Sequence, residues 1–172
     1  RGLTISAWVN ILESPQADAV LVELADPAGP YVRVGIDGLA PYVRVNDGVA
    51  AVETGRAAAL LPGSWGLVTV VIGTNRVALF LDGREVSGVD SQFAETGGTL
   101  TVGASAAGGS FLTGQVDEVT IANTARSADW IRAQFASQGP EDKLVRYGED
   151  TAKESGGEPS YFLITLQNVT LD

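Results

Sequence analysis

The sequence predicts an all-β protein, and three observations carry that prediction. Short runs of Val, Ile, Leu and Thr recur along the chain, punctuated by Gly, Pro, Asn and Asp. Several runs alternate apolar and polar residues with period 2, the spacing of a strand that buries one face. Between two of them stands Asp82-Gly83, a dipeptide suited to a tight two-residue hairpin. The 172 residues, 45% of them hydrophobic, are enough for one domain with a substantial core.

The first element is "LTISAWVNI". Leu3, Ile5, Ala7, Val9 and Ile11 fall on one face and Thr4, Ser6, Trp8 and Asn10 on the other. "AVLVELAD" follows, stopped by Asp26-Pro27. A near-repeat comes next, "PYVRVGIDG" at 30–38 and "PYVRVNDG" at 41–48. Two copies are too few for a solenoid, and a short Gly-containing connection makes them a hairpin. Tyr31, Arg33, Tyr42 and Arg44 then share one face. Such a set can grip a sugar or a protein, and it also suits an ordinary solvated sheet face. Tyr31 and Tyr42 are the best candidates for exposed aromatic platforms.

Pro62-Gly63 turns the chain into Trp65, and Leu67–Ile72 is apolar on both faces, as in a sheet covered on both sides. Gly73-Thr74-Asn75 turns it back through Val77–Leu81. Asp82-Gly83 then fits a type I′ turn, whose two central residues need positive φ, leading into Arg84–Val89. Two further strands, 98–105 and 114–122, flank "AAGGS", which lacks the Lys-Ser/Thr of a phosphate-binding loop. Ser127 can cap a helix with Asp129 in its first turn and Ile131 and Phe135 on one side, stopped by Gly139-Pro140. This helix is expected to pack at the edge of the sheets. Residues 139–160 read as a charged, Gly/Ser-rich linker or long loop. The alternating 161–172 segment is expected to complete a sheet at an edge left free beside the abrupt first strand, or to lead to a membrane anchor.

Composition excludes much chemistry. Without His or Cys, these residues offer no Ser-His-Asp or Cys-His catalysis, His-ligated metal, disulfide, zinc finger or iron–sulfur cluster. No metal site or cofactor is expected. The formal net charge of −10 repels phosphate backbones, so nucleic acid is not an expected partner. The acidity suits solubility or cation binding. No run approaches the roughly 20 apolar residues of a membrane helix. Lacking Met, the chain is expected to be a processed protein or an excised fragment.

Taken in order, "LTISAWV", "LLPGSWGLVTVVIGTNRVALFLDGREV", "LTVGAS" and "FLTGQVDEVTIANTARSADWI" closely resemble the laminin-G-like members of the concanavalin A-like lectin/glucanase superfamily. The resemblance spans roughly residues 3 to 136. It implies a jelly-roll sandwich of two antiparallel sheets with one short helix near the C-terminal end, occupying residues 1–138. Trp8, Trp65, Asp82, Gly83 and Trp130 fall in framework motifs, which makes them structural and the tryptophans core residues. The tail from "ARSADWIRAQF" to "SYFLITLQNVTLD" resembles the segment that joins such a domain to a membrane helix in bacterial MotA/TolQ/ExbB proton-channel proteins. That likeness implies a periplasmic or extracellular location, with a membrane anchor after residue 172.

Asp117 and Glu118 raise the question of catalysis, because paired carboxylates cleave glycosidic bonds. The two carboxyls must lie about 5–5.5 Å apart in a retaining enzyme and about 6.5–9.5 Å apart in an inverting one. Adjacent residues of a regular strand point to opposite faces, so this pair cannot share a cleft. Asp117 is therefore expected to be structural, pointing partly inward beside Val119 and Ile121. Its loss is expected to cost about 1–3 kcal/mol. The expected function is a non-catalytic binding or interaction module with an unknown protein or glycan partner. A carbohydrate-binding lectin domain is the alternative, and a glucanase-type hydrolase is the least favoured reading.

Overall fold

The computed structural model describes residues 2–12, 17–56, 58–92, 97–139, 145–147 and 164–166. The first ten strands are β1 (Leu3–Asn10), β2 (Ala19–Ala25), β3 (Tyr31–Asp37), β4 (Ala40–Asn46), β5 (Ala51–Glu53), β6 (Trp65–Ile72), β7 (Arg76–Leu81), β8 (Arg84–Asp90), β9 (Thr99–Val102) and β10 (Gln115–Ala122). They form two antiparallel five-stranded sheets, ordered β10-β1-β6-β7-β8 and β5-β4-β3-β2-β9, a jelly-roll sandwich.

Alternation decides what fills the space between the sheets. Ile5, Ala7, Val9, Val68, Val70, Ile72, Val77 and Leu79 face inward from the first sheet, meeting Val22, Val32, Val34, Ile36, Val43 and Val45 from the second. The apolar face read for β1 is thus the core face. Sequence reading passed over β5, whose three residues are too few to show a period.

The opposite side of β6 explains its doubly apolar pattern. Helix α1 (Ala128–Gln138) lies over the outer face of the first sheet, where Ile131 packs with Val71, Ala78 and Phe80. Trp8 stacks on Phe135, with ring centroids 5.8 Å apart. The helix was expected at an edge. It sits on the face because these apolar side chains from β1, β6 and β7 need cover there. Ser127 caps it, its hydroxyl accepting from the Trp130 N–H at 3.2 Å.

The Asp82-Gly83 turn has φ of 50° and 77°, as type I′ requires. Gly83 also lies beneath the helix, where a Cβ would stand 3.1 Å from Phe135 Cβ and 3.3 Å from Arg132 Cα. Asp82 Oδ1 accepts from the Leu67 N–H at 2.9 Å, tying the turn to β6.

One of the two readings of the C-terminal segment, a strand completing a sheet beside β1, is not what its described residues do. Strand β1 has a neighbour on each side, β10 and β6, so no free edge stands beside it. Ile164–Leu166 (β12) instead pairs with Val145–Tyr147 (β11) in a separate two-stranded sheet, which puts a strand inside the segment read as a linker. The rest of 140–172 lies outside the described residues.

Candidate functional site

The outer face of the second sheet gathers the four nominated residues. Register aligns Glu23, Arg33, Arg44 and Glu53 side by side across β2, β3, β4 and β5, and sets Tyr42 opposite Gly35. Two arginines facing each other across strands repel unless anions flank them. Glu23 and Glu53 do so at the ends of the row, and Asp18 does so above its middle.

Glu23 is 3% exposed, and a buried carboxylate is tolerable only when paired and hydrogen-bonded. It accepts from Arg33 Nε, from Ser105 Oγ at 3.2 Å and from the Ala106 N–H at 2.8 Å. The same residue therefore fixes Arg33 and holds the Gly-rich loop after β9 against the sheet. Arg33 also reaches Ser105 Oγ at 3.4 Å.

At the other end, Arg44 Nε donates to Glu53 Oε2 at 2.6 Å. Arg56 donates to Glu53 Oε1 at 2.5 Å and pairs with Asp37 at 3.0 Å. Burial opposes charge on Glu53, but the hydrogen bonds and charges of Arg56 and Arg44 win and hold its carboxyl below the ordinary glutamate range. Burial likewise works against the Arg44 guanidinium, and Glu53 with Asp18 outweighs it, raising its affinity for the proton.

Asp18 closes the array. Its Oδ2 lies 3.5 Å from Arg33 Nη1 and 4.0 Å from Arg44 Nη1, and its Oδ1 accepts from the Tyr42 hydroxyl. The Tyr42 ring rests on Gly35, with the Arg56 guanidinium 4.2 Å and that of Arg44 5.5 Å from its centroid.

The nominated four thus share a face, but it is no open sheet surface. Tyr42 is fully buried rather than an exposed platform, the Arg33 side chain is only 17% exposed, and Tyr31 is half-buried with Arg33 5.5 Å from its ring. Periodicity assigns a residue to a face and says nothing of what covers that face. Sequence reading missed Asp18, Glu23, Asp37, Glu53, Arg56 and Ser105. Glu23 carried a signal, a lone carboxylate in the apolar run "AVLVELA".

A pH prediction follows from Glu53. Its folded-state pKa is depressed, so its stabilising contribution is complete above the ordinary value of 4.5 and is lost as pH falls through the lower folded value. Glu53→Gln should be less stable than wild type at neutral pH, with the gap narrowing below about pH 4.5. Urea unfolding at several pH values checks this, and a gap independent of pH would count against it.

Asp117 does not point inward. Between Ser6 and Trp8 the β1–β10 register shifts, and Glu118 adopts φ of 46°, so β10 carries a bulge there. The bulge breaks the alternation that placed Asp117 beside Val119. Both carboxylates are exposed. Asp117 Oδ1 accepts from the Glu118 N–H at 2.8 Å, and Glu118 Oε2 accepts from Gln138 Nε2 at 2.8 Å. The cost expected for Asp117→Ala falls accordingly to about 0.5 kcal/mol or less in denaturant unfolding.

Of the three framework tryptophans, Trp8 is 7% exposed and belongs to the interior, whereas Trp65 and Trp130 are 43% and 38% exposed. Trp65 is the first residue of β6, at the end of its sheet. Trp130 precedes the buried Ile131, and one helical step of about 100° turns it toward solvent, where the Arg126 guanidinium lies 4.6 Å from its ring. Among the described residues, no group of three or more His, Cys, Asp or Glu side chains could hold a metal ion, and no helix is long and apolar enough to cross a membrane.

A two-sheet jelly roll, with a helix on one outer face and a charged array on the other, has the form of a lectin-like sandwich. The Laminin_G_3 family, described as the concanavalin A-like lectin/glucanases superfamily, matches residues 1–132, and the chain belongs to it. No curated protein matches the chain significantly in sequence. Solved structures share its fold, three of them as follows. The heptameric SAP-like pentraxin of Limulus polyphemus superposes with TM-score 0.63 at 13% identity, over 81% of this chain and 72% of that one. Domain 4 of AbnA, a GH43 extracellular arabinanase from Geobacillus stearothermophilus solved with arabinotriose, gives 0.58 at 18%, over 78% and 66%. A protein of Bacteroides ovatus ATCC 8483, provisionally described as carbohydrate-binding, gives 0.56 at 16%, over 76% of this chain and 40% of that protein.

Proposed function

We propose that this chain is a non-catalytic binding module for saccharides and that the outer face of the second sheet is its ligand face. The observation that carries this reading is the ion-paired cluster of Asp18, Arg44, Glu53 and Arg56 on that face, whose side chains stay partly exposed beside the buried Glu23–Arg33 pair. Planar guanidinium and carboxylate groups, already fixed by one another, offer the paired donors and acceptors that neighbouring sugar hydroxyls match. Preorganisation of this kind lowers the ordering cost of binding. Family membership and the carbohydrate context of two of the similar structures point the same way.

Within the proposed face, Glu53 is unsuited to act as a catalytic acid. A glycosidase needs a carboxylic acid with a raised pKa to protonate the leaving oxygen, and Glu53 is depressed by Arg56 and Arg44. A glycan array, with reducing-end release measured on every retained glycan, tests the proposal. Retention of at least one glycan class, weakened at least tenfold by Arg44→Gln and without hydrolysis, is expected. Failure to retain any glycan would refute saccharide binding, and released reducing ends would refute the non-catalytic role.

We further infer from the resemblance of the 125–172 sequence that the module belongs to the extracytoplasmic part of a bacterial membrane protein of the MotA/TolQ/ExbB type, serving proton-driven transport. Fractionation of cells expressing the intact protein should place it in the inner membrane with this domain accessible from the periplasm. A cytoplasmic, membrane-free location would overturn this setting without touching the binding reading.

A further inference from the structure

We infer that Asp18 is a built-in stand-in for a ligand carboxylate, and that the face selects acidic saccharides of the uronate type; this rests on the saccharide-binding reading above. The array holds three arginines, Arg33, Arg44 and Arg56, against four carboxylates, Asp18, Glu23, Asp37 and Glu53. Each arginine has at least one close carboxylate without Asp18: Glu23 for Arg33, Glu53 at 2.6 Å for Arg44, and Glu53 at 2.5 Å with Asp37 at 3.0 Å for Arg56. Asp18 is the surplus anion. It spans the two Nη1 groups at the looser distances of 3.5 and 4.0 Å and accepts a hydrogen bond from the Tyr42 hydroxyl as its third contact.

Two guanidinium Nη1 groups and a phenol converging on one carboxylate form a carboxylate receptor. Its occupant is the most replaceable member. The Asp18 side chain is 43% exposed, against 17% for Arg33 and 30% for Arg44, so it lies on the solvent side of its partners. Its backbone sits at φ of 63°, in the left-handed region that disfavours side chains other than Asn and Asp. Exchange for a ligand carboxylate leaves the charge of the array unchanged. A neutral sugar entering the same place would displace Asp18 without returning an anion to the Arg33 and Arg44 guanidiniums, so the slot discriminates by charge.

Binding of trigalacturonate, its neutral methyl ester and acetate to wild type and Asp18→Asn tests the inference. Calorimetry would supply the affinities and Arg Nε–H resonances the location. Asp18→Asn removes the competing charge while keeping the left-handed backbone, and Asp18→Gly does the same should the amide fill the slot. Trigalacturonate should bind either variant at least tenfold more tightly than wild type, shift Arg33 and Arg44, and outcompete the ester. Equal binding of acid and ester, unaltered by both variants, would overturn the carboxylate slot and leave saccharide binding standing. If neither saccharide binds while acetate shifts Arg33 and Arg44 in the variants, the anion slot stands and the saccharide reading falls. No response to any of the three probes would overturn the slot itself.

Discussion

Trp8→Ala is expected to lower the unfolding free energy by about 3–5 kcal/mol, the range for truncating a large buried aromatic. Trp8 projects from the outer face of the first sheet, between Asp117 of β10 and Leu67 of β6, and is 7% exposed. Its ring stacks on Phe135, and Nε1 donates to Gln138 Oε1 at 3.3 Å. Truncation would empty the space between sheet and helix and take from Gln138 Oε1 its donor, leaving only the Gln138 bond to Glu118. An 11-residue helix is marginal on its own and persists through docking, so α1 should loosen with the loss. At this chain length each kcal/mol is worth about 2–4 °C, which puts the fall in Tm at roughly 6–20 °C. Trp130→Ala, one side of the same helix but facing solvent, should cost less than about 1 kcal/mol. Thermal and urea unfolding of both variants decide the matter. A Trp130 effect as large as that of Trp8 would mean that the helix does not dock through Trp8.

The contrast between these tryptophans marks what could be read from the chain. All three stand in framework motifs, and only tertiary placement separates them: mid-strand under a helix, at a strand end, or on the solvent side of a helix. Features set by neighbours in sequence were legible. The alternating face of β1, the doubly apolar β6, the Asp82-Gly83 turn and the Ser127 cap all stand as expected. Features set by what arrives from elsewhere were not. The β10 bulge hinges on a left-handed glutamate, Glu118, at a position with no glycine to announce it. The charged array needs Asp18 and Glu23 from the segment around β2 and Arg56 from beyond β5, so the Tyr-Arg repeat revealed only its middle.

The second large effect lies at that middle. Tyr42→Ala is expected to destabilise the domain by about 3–5 kcal/mol, comparable to other fully buried aromatics. Beyond its volume, the ring supplies the surface on which the Arg56 and Arg44 guanidiniums lie at 4.2 and 5.5 Å. Tyr42→Phe keeps that surface and removes only the donor to Asp18. Water can replace it at this half-exposed carboxylate, so about 1 kcal/mol or less is expected. Gly35→Ala attacks the same contact from below. A Cβ there would come within 2.3 Å of Tyr42 Cζ and 2.4 Å of its hydroxyl oxygen, and a sealed ring has little room to retreat. Overpacking of this kind costs about 1–3 kcal/mol. The combination then discriminates. With Tyr42 already truncated, the added methyl occupies vacated space instead of clashing, so the double variant should be more stable than the summed single losses predict, by about 1 kcal/mol or more. Urea unfolding of the four proteins measures that difference. Strict additivity would show that the Tyr42 ring does not rest on Gly35, and the sealed centre of the array would have to be redrawn.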